Sequence, residues 1–260
     1  EVEERFVDLR QTVDQLNEMS DSWDGYQEID EMLESAQNEL DEINEEDIES
    51  LDEILASLNE VEKKAEIRRT NLQAKYLERA QNRAKDLREL STSNKPHDLK
   101  QTSEGANVPF TMALSDVKTG LVSDFNKATT EAEEVEKELR ENTEPLKDDS
   151  SIEAIKTIRD SLRTASERKE DIEDKITEIE ETSKDYSSWC DLAGEIDEAR
   201  KSMVRYEDNH EDASRVESLI NQLDGILNEI QTEFVKNEEK TLADAGVYRE
   251  QFEKINEKFE

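Results

Sequence analysis

Cysteine, proline, glycine and aromatic residues are all scarce in this chain of 260 residues, and each scarcity excludes something. One cysteine, Cys190, rules out an internal disulfide framework and suits a reducing compartment, with the cytosol as the default. No run of about 18 apolar residues exists, so nothing in the sequence spans a bilayer as a helix. Only 33% of residues are hydrophobic and 5% aromatic, too few for one large globular core. Basic residues are outnumbered, 34 against 70 acidic, for a formal net charge of −36. Phosphates and anionic lipid surfaces attract the opposite sign, so nucleic acid and membrane docking are both disfavoured. The opening Glu1-Val2-Glu3-Glu4 is neither a signal nor a transit peptide and reads as a cut inside a longer chain.

What the chain has is helical periodicity. From Ser151 to Met203 there is no proline, and Gly194 is the only glycine. Ile158, Leu162, Ala165, Ile172, Ile176, Ile179, Ser183, Tyr186 and Cys190 recur there at steps that keep one stripe on a helix. Such a helix would reach roughly 80 Å at ~1.5 Å per residue, longer than a compact domain is wide. The sustained period also separates this chain from disordered sequences of similar charge.

The same reading predicts one amphipathic helix over 6–43, with Gly25 in its middle, and a turn at Asn44–Asp47 with Asp47 as the following N-cap. A second helix runs from Ile48 to about Leu90. A loop over 91–109 contains Pro96, Gly105 and Pro109, and a third helix runs from Phe110 to about Asn142 and stops before Pro145. Ser150 or Ser151 caps the long helix. A break falls at 205–210, a helix follows over 212–240, a turn spans Thr241–Gly246, and the chain ends in a short helix bearing Phe252, Ile255 and Phe259.

Shifted against itself by 104 residues, the chain matches Ile48, Ile54, Leu58 and Leu72 with Ile152, Ile158, Leu162 and Ile176, and turns near 44, 146 and 244 recur at about that interval. A period slightly over 100 residues with three helices per unit resembles the spectrin repeat. Trp189 stands where that family often carries a tryptophan in its first helix, whereas Lys85 occupies the position 104 residues earlier and Trp23 falls in a proposed middle helix. The resemblance implies an all-α rod of tandem three-helix bundles, the last helix of one continuing as the first of the next. It divides the chain into a partial first repeat at 1–76, a second at 77–178 with the 91–109 loop, and a third at 179–260. The divergent, acidic repeats are most like those of giant cytoskeletal linkers of nesprin, plakin or dystrophin type.

No catalytic, cofactor or metal site is expected. Seventy acidic residues make carboxylate pairs common by chance, and catalysis needs one of a pair desolvated. His97 and His210 are isolated, Asp41–Glu53 lacks the glycine of a calcium loop, and Cys190 beside Trp189 reads as a small core hydrophobe. The structural core residues expected to matter are Ile158, Leu162, Ile172, Ile176, Tyr186 and Trp189, with Trp23 a second anchor. The single basic stretch carries Arg68, Arg69, Arg79, Arg83 and Arg88. It is the candidate face for an acidic filament such as actin, or pairs with glutamates of its own helix.

The expectation is therefore a non-catalytic elastic spacer in the cytoplasm, associated with the cytoskeleton, and with the nuclear envelope or a junction through other parts of a parent chain. Its partners would be cytoskeletal or scaffold proteins or a second copy, with no nucleic acid, membrane insertion or small-molecule substrate. The alternatives are a scaffold docking partners through the 91–109 loop or a bundle groove, and a parallel coiled-coil dimer of a filament or motor tail.

Overall fold

The computed structural model describes residues 2–20, 22–42, 48–92, 106–207 and 213–259. Among these the chain is all helical: α1 (Val2–Glu18), α2 (Tyr26–Glu42), α3 (Ile48–Ser91), α4 (Thr111–Thr143), α5 (Ile152–Glu207), α6 (Ala213–Lys236), α7 (Glu238–Ala243) and α8 (Ala245–Phe259). The helices form two compact units. One comprises residues 1–89 and 133–169, the other residues 90–132 and 170–260. The boundaries expected at 76/77 and 178/179 fall inside α3 and α5, and α4 and α5 each contribute to both units.

In the first unit, one face of each helix is apolar at steps of three and four and turns inward. Phe6, Leu9, Val13 and Leu16 of α1, Ile29, Leu33 and Ala36 of α2, and Ile54, Leu58, Val61 and Ala65 of α3 close a common core, joined by Ile155 and Ile158 of α5. Residues 6–43 are not one helix. The chain leaves α1 after Glu18, turns at Gly25 with φ +91°, and returns as α2 against α1. Ser20 Oγ donates to the Leu16 carbonyl at 2.6 Å, a local side-chain-to-backbone bond of the kind serine makes at helix ends. Gly25 supplies the left-handed conformation that a Cβ would oppose. The segment 1–76, expected to hold two helices, thus begins with three. Ile54 and Leu58, matched at the 104-residue shift with Ile158 and Leu162, lie in the same core as those partners.

The turn between α4 and α5 belongs to this unit as well. Glu144–Leu146 form one 3-10 turn, with Pro145 where its missing N–H costs nothing. Ser151 caps α5, its Oγ accepting from the Ala154 N–H at 3.1 Å. Asp149 accepts from the Ser151 N–H at 2.9 Å, which holds its carboxyl below the usual range. Gln73, a buried amide on α3, sets Nε2 at 2.8, 3.0 and 2.7 Å from the carbonyl oxygens of Leu146, Lys147 and Asp149. Tyr76, one turn on, donates its hydroxyl to the Met19 carbonyl at the end of α1.

The second unit packs α6 and α8 as a hairpin against the later part of α5 and the start of α4. Val216, Leu219, Leu223, Leu227, Ile230 and Phe234 make the buried face of α6. The expected turn at 241–246 lies differently. The chain breaks at Asn237 and Asp244, and Thr241–Ala243 are helical within α7. Asn237 is the reason: its side chain accepts from the Lys240 N–H at 3.1 Å, and Glu238 and Glu239 suit the positive end of the short helix.

Candidate docking surfaces

Each unit has a side-chain arrangement, among the described residues, that could meet another molecule. In the first unit it lies at the α1–α2 turn, beside the basic stretch of α3. Arg68 folds back over Trp23, its guanidinium carbon 5.4 Å from the ring centroid, and donates to the Ser22 carbonyl at 2.5 Å. Burial draws this guanidinium below its ordinary pKa, with Asp24 opposing. Lys64 pairs with Glu28 at 2.8 Å and Glu60 at 3.4 Å, and the Glu28 hydrogen bond raises its pKa against the cost of burial. Arg69 lines a cleft with Arg5, Asp8 and Glu62, Arg83 lies 3.7 Å from Asp86, and Arg79 and Arg88 interact within the chain. Most of this basic stretch is therefore engaged by its own fold. Trp23 is half-buried in the turn rather than set in a helix.

In the second unit the arrangement is a groove of about 610 Å³ between α4, α5 and α7. Its floor is apolar: Val117, Leu121 and Ala128 of α4, Ile179 of α5 and Leu242 of α7. The α4 wall follows one helical face, Asp116, Gly120 and Asp124 at steps of four, and continues to Lys127 and Glu131. A Cβ added at Gly120 would meet nothing within 4 Å, so this wall opens directly on space. Lys175, Glu178 and Thr182 form the α5 wall, and Glu238 and Glu239 close the end at α7.

The groove keeps its shape because the core beneath it is tied down. Trp189 has no exposed surface and packs edge-on to Phe110 and Phe234, with Tyr248 at 5.6 Å between centroids. Its indole N–H points at the carbonyl oxygens of Thr241 and Leu242, so Trp189 holds in place the α7 residue, Leu242, that forms part of the groove floor. Arg249 pairs with Glu195 at 2.6 Å across α5 and α8, a hydrogen bond that raises the guanidinium pKa.

The expected core residues take these positions. Ile158 is buried in the first unit with Leu162 half-buried beside it, while Ile172, Ile176, Tyr186, Trp189 and Cys190 are buried in the second. His97, His210, Asp47 and most of the 91–109 loop lie outside the described residues. Among the described residues, no group of three or more histidine, cysteine or acidic side chains is placed to hold a metal ion, and no helix is long and apolar enough to cross a membrane. Sequence reasoning missed Gln73 and Gly120. Both carry a signal: an amide between Leu72 and Tyr76 on an apolar stripe, and a glycine in mid-helix.

The class defined by this fold is an all-α helical bundle. No protein family, no curated protein and no solved structure matches the chain.

Proposed function

We propose that the chain is a non-catalytic structural segment, a helical spacer and scaffold of the kind that spectrin-like repeats provide in cytoskeletal linkers. The observation that carries this reading is the division of α4 and α5 between two separately packed cores. Each core is closed by one face of every helix entering it, so each gives way as a unit when its helices separate. The termini lie in different units, α1 in the first and α8 in the second. Load applied at the ends would reach both cores through helices they share. The turns would resist early fraying because Gln73, Tyr76 and Trp189 tie them to the long helices. The acidic surface suits such a role, keeping a long segment soluble and its copies apart.

Optical-trap pulling on the whole chain, held at both ends, tests this. Two separate extension steps, each recovered on relaxation, are the expected result. A single step releasing the entire chain, or smooth extension without steps, would overturn it.

A further inference from the structure

We propose that the groove between α4, α5 and α7 docks one basic amphipathic helix of a partner protein. This goes beyond the spacer reading and needs only the second unit to be folded.

The shape is that of a helix seat. The α4 wall runs from Asp116 to Glu131, about 22 Å at ~1.5 Å per residue, so a helix of about four turns would lie along it. Recognition of this kind lays an apolar face into a groove at positions i, i+3, i+4 and i+7. The floor offers apolar contact in that direction, and Gly120 on the wall lets a second helix approach closely. Met112, 79% exposed one turn before Asp116, extends the same wall with a flexible apolar side chain.

Charge selects the occupant. Six carboxylates rim the groove, Asp116, Asp124, Glu131, Glu178, Glu238 and Glu239, against two lysines. Both lysines are taken: Lys127 pairs with Asp124 and Lys175 with Glu131, each at 2.8 Å. Asp116, Glu178, Glu238 and Glu239 make no ion pair among the described residues. A helix with lysine or arginine beside its apolar stripe would neutralise them, and an acidic one would be repelled. The same sign disfavours nucleic acid and anionic lipid. A second copy fits poorly as well. Each copy carries a net charge of −36, and the basic stretch of α3 already turns Leu72 and Tyr76 into its own core.

The test is fluorescence anisotropy with a labelled synthetic peptide of leucine and lysine, about 18 residues with helical apolar spacing. A scrambled peptide of equal composition serves as control. It is titrated with the full chain, with Gly120→Leu, which fills the groove from an open position, and with the triple reversal Glu178→Lys, Glu238→Lys, Glu239→Lys. A control triple, Glu34→Lys, Asp41→Lys, Glu53→Lys, makes the same charge change at exposed positions of the first unit.

Saturable one-to-one binding of the patterned peptide is expected. Gly120→Leu and the groove triple should each weaken it about tenfold, and the control triple by less than about twofold. Circular dichroism melts of each variant establish that the fold is retained, and the two groove variants act by different means, so misfolding of one leaves the other decisive. The proposal is overturned by absence of saturable binding, by equal binding of the scrambled peptide, or by equal weakening in the control triple. It is also overturned if the full chain is a dimer in which Gly120→Leu yields monomer, because the groove then seats a second copy. The pulling experiment is indifferent to the peptide, so either reading can fail without the other.

Discussion

The indole N–H of Trp189 donates to the Leu242 carbonyl at 2.9 Å and lies 3.1 Å from that of Thr241, joining the interior of α5 to the end of α7. The Asp244 N–H also reaches the Thr241 oxygen, so Leu242 is the carbonyl that depends on the tryptophan. Trp189→Phe keeps a ring among Phe110, Phe234 and Tyr248 but removes the donor, leaving a buried acceptor unsatisfied at a cost of about 1–3 kcal/mol. Trp189→Ala adds a cavity and should cost about 3–5 kcal/mol. Urea unfolding followed by circular dichroism measures both. An unchanged midpoint for the phenylalanine variant would mean the hydrogen bond contributes nothing net.

Gln73 does for the α4–α5 turn what Trp189 does for α7, with one buried amide close to three carbonyl oxygens. Gln73→Leu conserves approximate volume and removes the donors, so the loss should be about 1–3 kcal/mol and confined to the first unit. Hydrogen exchange at residues 146–151 localises it. Exchange that accelerates equally in α6 would contradict the local assignment.

Two glycines should respond oppositely to alanine. Gly25 sits at φ +91°, where a Cβ costs about 1–2 kcal/mol. Gly120 lies inside α4 with open space around the added methyl, so alanine should stabilise by about 0.5–1 kcal/mol through helix propensity and a less free unfolded chain. Thermal melts of the two variants should shift in opposite directions.

The Gly25 turn also explains where the sequence misleads. Leu16 and Trp23 are seven apart, and Tyr26, Ile29 and Leu33 continue at steps of three and four. The stripe therefore stays in phase across the break and imitates one helix, while Ser22 and Asp24-Gly25 carry the contrary turn signal. Long helices read well because α4 and α5 lack proline and keep their apolar faces over many turns, and Ser151 is visible as the cap it becomes. The α6–α8 connection shifts because Asn237 starts a new helix, a short polar signal outweighed by the glycine at 246. The groove was hidden for a different reason. Its carboxylates are a few among 70 acidic residues, and only packing brings Asp116, Glu178 and Glu238 to one rim.

Tyr248 gives an alkaline test of the second core. Burial first, then the charges of Glu229, Glu233 and Asp244, hold its phenol above the ordinary value of 10.0. The folded state therefore prefers the protonated form. The stabilisation is present below the unfolded-state pKa and is lost as pH rises through the higher folded-state value. Tyr248→Phe should reduce the fall in unfolding free energy above pH 10 relative to the parent chain, measured by urea titration at a series of pH values. Parallel profiles for the two chains would show that Tyr248 does not contribute to that slope.

Salt should stabilise this protein, and the sign follows from comparing two opposed effects. Most ion pairs among the described residues have at least one partner half or more exposed, and Lys85–Glu89 and Lys137–Glu141 have both, so pairs of that kind contribute about 0–1 kcal/mol each. Screening weakens them. Against this stands a formal net charge of −36, whose self-repulsion opposes the compact state and is screened by the same ions, over a Debye length of about 8 Å at physiological ionic strength. Acidic side chains outnumber basic ones by more than two to one, so most carboxylates have like-charged neighbours rather than partners, and the repulsive term is the larger. The melting temperature should therefore rise from low salt to about 1 M sodium chloride, where the Debye length is about 3 Å. Chloride is the appropriate anion, because sulfate would strengthen apolar burial in any protein. A melting temperature that falls with added chloride would mean that ion pairs such as Arg249–Glu195 and Arg10–Asp30, not net repulsion, dominate the electrostatics of the fold.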